Sequence, residues 1–179
     1  MALSLLWVKD PQRVFEVVIP ELREMRRIEI PEPPEFSSEK VRSFCREVIL
    51  PSVKGADSFW IELIYSLLDL LCSYPDSPGV IDEETPRKYR KLKTSLLDHT
   101  LNVVREGLEL LKERGDMASW KVVIACLSHD IGKHPVAKGV EPHSQVSFEY
   151  LKGVIPDEAD RKDAQEILDA VLLHHRSDL

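Results

Sequence analysis

The sequence is short of cysteine. Cys45, Cys72 and Cys126 are the only three in 179 residues, an odd number at wide spacing. That excludes a disulfide framework and a CxxC metal knuckle, and it suits a reducing cytoplasm. An excess of positive charge is also lacking. Against 24 Lys and Arg stand 31 Asp and Glu, giving a formal charge of -7 and a pI near 5.4. No basic coat is therefore available to drive binding to phosphate backbones. No run approaches the roughly 18 apolar residues of a membrane span. The most apolar stretch, 59–72, contains Glu62 and Asp69. Residues 1–9 have neither the basic start nor the small-residue cleavage site of a signal peptide. The expectation is a cytoplasmic protein with no membrane partner and no strong nucleic-acid signal. Repeats and low-complexity tracts are missing as well. Runs of β-branched residues are short and embedded in helical periodicity, so no strand is predicted.

What the sequence does contain is a globular balance, 43% hydrophobic and 31% charged. It is not the composition of a disordered chain, and the length fits one ordinary domain, or one domain with an appendage. Nine of the 12 prolines lie in the first half. They predict short helices joined by stiff turns there, with an extended linker at 30–35. Ser37 or Ser38 can cap a helix to about Ile49, with Val41, Phe44, Cys45 and Val48 on one face. Asp57 can cap a deeply buried helix over 58–72, and a break follows at 74–79. The run 87–93 is the one concentrated basic stretch, either a solvated helix face or a phosphate-facing patch. Ser95 and Asp98 have capping-box spacing and open a helix that Gly115 ends. Further helices are predicted over 120–128, over 143–151, and from near Asp157 to His174 and His175.

Histidine is distributed unevenly. Five of the six fall in the last 51 residues. His129 and Asp130 stand together at the end of an apolar helix, where an imidazole and a carboxylate can converge on one cation. His99 shares a face with Leu96 and Val103. Val171 lies three and four residues before His174 and His175, so at least one of that pair points inward. A lone inward histidine is usually a hydrogen-bonded core residue; several on separate helices predict a multi-helix metal pocket. His134, beside Pro135, reads as a loop or surface residue.

The order of these motifs resembles the HD-domain superfamily of metal-dependent phosphohydrolases. Leu96-Leu97-Asp98-His99-Thr100-Leu101-Asn102-Val103-Val104 is similar to its first motif, and Leu127-Ser128-His129-Asp130-Ile131-Gly132-Lys133 to its namesake motif. The HDIGK form also resembles the cyclic-dinucleotide phosphodiesterase branch, although no GYP-type segment accompanies it. An HD module attached to conjugative relaxases is somewhat similar too. The resemblance implies an all-α fold, an HD-domain-like multi-helix bundle over 81–179, with residues 1–80 as a helical, proline-interrupted extension packing on it. It implies that His99, His129 and Asp130 bind metal directly, with His143 and His174 or His175 completing a second site. One or two divalent ions (Fe, Mn, Ni, Co, Mg or Zn) are the implied cofactor. Asp130 and Lys133 are the implied catalytic groups, Lys133 meeting substrate phosphate; otherwise Lys133 is a helix C-terminal cation. Asp98 reads as a capping carboxylate in preference to a group supporting the metal. The implied activity is hydrolysis of a phosphomonoester or phosphodiester, a nucleotide in the first instance, through metal-activated water. The alternative is a non-catalytic binding or regulatory module of a larger conjugation or signalling protein. The family closes its pattern with an aspartate on a later helix. Here only Asp178 follows the last histidines, so the chain is expected to be a fragment lacking that ligand.

Overall fold

The computed structural model describes residues 30–74, 94–114, 118–135, 142–157 and 159–174. The chain divides into two compact units, Met1–Ile30 and Pro31–Leu179, and the fold described here is that of the second. Six helices and no strand occur among the described residues, so the unit is all-α. No helix among them is long and apolar enough to cross a membrane. The break at 75–79, the basic run 87–93, Gly115, His175 and Asp178 lie outside the described residues.

Residues 30–36 form no helix, as Pro31, Pro33 and Pro34 require. The Tyr65 hydroxyl donates to the Pro31 carbonyl at 3.0 Å, and the Tyr65 ring meets Phe36 edge-on. Helix α1 runs Glu39–Phe44, continues as a π-helical turn over Cys45–Ile49, and ends at Leu50–Ser52. The wider π turn changes which residues face inward. Ile49 is fully buried, while Val48, the residue that regular α periodicity selects, only packs against the core margin. Helix α2, Ser58–Ser73, buries nine of its 16 side chains, which makes it the central helix. Each fully buried Leu or Ile contributes about 1.5–3 kcal/mol. Ser38 and Asp57 stand at the predicted N-cap positions of α1 and α2, but neither side chain makes a capping hydrogen bond.

Helix α3, Leu96–Arg114, opens as predicted: Ser95 Oγ accepts from the Asp98 N–H at 3.1 Å. The Asp98 carboxylate pairs with the Lys40 ammonium of α1. Helix α4, Ser119–Ser128, lies against α2 through Trp60 and Trp120, whose ring centroids are 5.1 Å apart. Where α3 passes α4, a Cβ on Gly107 would lie 2.9 Å from Cys126 Sγ. A 3-10 turn, Ile131–Lys133, leads towards α5, His143–Val154, and α6, Arg161–Leu173. Helix α6 starts later than the expected Asp157. Asp160 caps it, its carboxylate accepting from the Lys162 and Asp163 N–H groups at 2.9 and 3.0 Å. Lys121 fastens α4 to α6, with Nζ 2.5 Å from Asp163 and 2.6 Å from Glu166.

Candidate metal centre

The end of α4 builds the site. His129 keeps helical dihedrals and its N–H still bonds to the Ala125 carbonyl. Asp130 leaves the helix at φ -111°, ψ 11°. On a continuing helix the two side chains would diverge by about 100°. The break turns them towards one point, with His129 Nε2 3.3 Å from Asp130 Oδ2. His99, in the first turn of α3, brings its Nε2 to 3.3 Å from the same oxygen and 3.2 Å from His129 Nε2. The other oxygen, Oδ1, faces two different helices. His143, the first residue of α5, places Nε2 at 3.2 Å, and His174, just past α6, places Nε2 at 3.7 Å.

Asp130 is thus a carboxylate shared by two imidazole pairs. The ligand atoms of His99, His129 and Asp130 lie within 4.8 Å of one another, and so do those of Asp130, His143 and His174. The Asp130 side chain is only 3% exposed, whereas His99 is 37% exposed and the other three imidazoles lie between 12% and 17%. Burial disfavours the charged form of Asp130. The four imidazoles outweigh it and hold the carboxyl well below the usual carboxylate range.

Two of the imidazoles have their tautomer fixed. His129 Nδ1 lies 2.7 Å from the Cys126 carbonyl, and His174 Nδ1 lies 2.6 Å from the Val171 carbonyl. A carbonyl only accepts, so both Nδ1 atoms carry the hydrogen. In the neutral ring Nε2 is then a bare lone pair. Each such lone pair is aimed at a carboxylate oxygen that is itself an acceptor. Imidazole nitrogens and carboxylate oxygens converging at these distances can together hold a cation, and a backbone carbonyl behind the imidazole is the usual support of a metal-ligating histidine. The nitrogen and oxygen donor set fits a divalent transition metal better than a structural zinc site.

Five of the six histidine and aspartate positions read from the sequence as ligands come together: His99, His129, Asp130, His143 and His174. His175 lies outside the described residues. Lys133 Nζ lies 2.7 Å from Asp130 Oδ2, so this lysine borders the cluster. His134 lies in the loop after the 3-10 turn, as expected, but not at the surface. It is fully buried, hydrogen-bonded to the Leu70 backbone and in edge contact with Tyr74. The cause is the C-terminal end of α2, which covers the turn after the site and which no local pattern around Pro135 indicates. Burial lowers the His134 pKa, against the opposing effect of the Leu70 bond. Sequence reasoning also passed over Ser147. It lies four residues after His143, on the same helix face, and that spacing was the available signal.

No curated protein and no solved structure matches the chain. The HD domain family matches residues 96–179, a span that contains every one of the converging groups and begins at the first residue of α3. That stretch of the chain, from Leu96 to Leu179, is similar to the HD-domain family.

Proposed function

We propose that the chain is a metal-dependent phosphohydrolase. His99, His129 and Asp130 hold one divalent cation; Asp130, His143 and His174 hold a second. The observation that carries this reading is the division of one buried carboxylate between two imidazole pairs from four separate helical elements. A divalent cation bound there supplies Lewis acidity and an activated water at neutral pH. The chain's own groups do the rest. Asp130 carries the negative charge that draws cations into the pocket. The carbonyls of Cys126 and Val171 hold His129 and His174 in the tautomer that presents Nε2. Lys133, at the edge of the cluster, offers an ammonium to the phosphoryl oxygens, where charge builds during displacement. The acidic chain favours a small phosphorylated substrate, a nucleotide, over a polymer.

The test is hydrolysis of bis-p-nitrophenyl phosphate, nucleoside mono- and triphosphates and cyclic nucleotides with added Mn(II). The wild type is expected to cleave at least one. The double variant His129→Ala/Asp130→Ala is expected to fall to background. Activity that survives this double change would sink the assignment.

A further inference from the structure

The two halves of the cluster are held in different ways. His129 and Asp130 are neighbours in the chain, and His99 comes from α3, which packs along α4. His143 arrives on α5, and its distance from Asp130 is set by how α5 docks on the Ile131–Lys133 turn. That docking is unusually close. A Cβ on Gly132 would lie 2.2 Å from the His143 carbonyl oxygen and 2.9 Å from its Cα. The two backbones are therefore in direct contact, with no room for a side chain. One directional bond fixes the approach: the Gly132 N–H donates to Ser147 Oγ at 2.9 Å. Both groups are buried, Ser147 completely. Ser147 is one helical turn beyond His143, so the side chain that grips the turn and the side chain that reaches Asp130 project from the same face of α5.

We infer that Ser147 is a positioning residue for the second cation: by pegging α5 to the Gly132 N–H, it sets the His143 Nε2 to Asp130 Oδ1 distance without touching the ion. The inference rests on the two-cation reading above. Its hydrogen bond joins α5, the helix that carries His143, to the turn after Asp130, so its role is assigned to that half of the cluster. Without the hydroxyl, the buried Gly132 N–H loses its acceptor, and α5 is free to slide along the turn.

The experiment is a Mn(II) titration of the full chain, with free Mn(II) counted by electron paramagnetic resonance. Wild type, Ser147→Ala, Ser147→Thr and His143→Ala are compared. Wild type is expected to show a tight and a weaker class of ion. Ser147→Ala should weaken one class by about 10-fold, the lower end of what supporting groups contribute to metal affinity. It should be the class that His143→Ala abolishes, with the other unchanged. Ser147→Thr, which keeps the hydroxyl, should restore the wild-type curve. A Ser147→Ala curve superimposed on wild type overturns the inference. So does equal weakening of both classes, or failure of threonine to rescue, because each marks general packing. A wild type that takes up no Mn(II) overturns the metal centre itself, and that result is distinct from the others.

Discussion

Replacing Gly132 by alanine tests whether the turn after Asp130 and the start of α5 are in backbone contact. Among the described residues only Gly55 has positive φ, so an L side chain is conformationally allowed at 132. Space is what forbids it. The new Cβ would lie 2.2 Å from the His143 carbonyl oxygen, whereas carbon and oxygen normally approach to about 3.3 Å. The first turn of α5 must retreat by about 1 Å. Overpacking of this kind costs about 1–3 kcal/mol, and stretching the bond from Gly132 N–H to Ser147 Oγ adds about 1 kcal/mol. The total is about 2–4 kcal/mol, which for a chain of this size lowers the Tm by roughly 4–16 °C. The assay is thermal unfolding by far-ultraviolet circular dichroism at fixed protein concentration, without added metal. Gly153→Ala is the control. It lies near the end of the same helix, and a Cβ there meets nothing within 4 Å, so it should be neutral or stabilise by up to about 1 kcal/mol. A Gly132→Ala variant that melts within about 2 °C of wild type would refute the close approach.

Lys121→Met should lower the Tm by removing the link between α4 and α6. Burial opposes the charge on Lys121, but its bonds to Asp163 and Glu166 prevail and raise its pKa. That stabilisation is complete below the unfolded lysine pKa and is lost as pH rises through the higher folded value; an alkaline melting series should show the loss in wild type and not in the variant. Adding Mn(II) at 100 times its Kd should stabilise the wild type by about 2.7 kcal/mol, visible as an upward Tm shift; a shift of equal size in His129→Ala/Asp130→Ala would place binding elsewhere. Burial pushes the Cys45 and Cys126 thiols up to about 11 and raises Cys72 as well. Iodoacetamide at pH 7.5 should therefore label none of them in the native protein and all three in urea, as counted by mass spectrometry.

The cluster was legible in the sequence because its members are tied to local signals. Ser95 caps α3 and fixes where His99 falls in the first turn, and the apolar face of α4 fixes His129. The all-α fold followed from periodicity in the same way. The features that escaped depend on how helices meet. Gly132 looks like an ordinary turn residue until α5 is seen resting on it. His134 looks exposed because the groups that bury it, Leu70 and Tyr74, lie about 60 residues upstream. The π turn in α1 exchanges Val48 for Ile49 on the inner face, a one-residue slip that regular periodicity cannot register. Ser38 and Asp57 have capping chemistry and cap nothing, whereas Asp160, absent from the expected boundaries, caps α6 with two bonds.

The unequal exposure of the imidazoles gives the cluster a front and a back. His99, 37% exposed, is the only one of the four open to solvent to any large extent, and Asp130 at 3% is the floor. Of the four imidazoles, His99 is therefore the one most accessible from solvent. A cation held on the His99 side would be the one nearer to a chelator in solution.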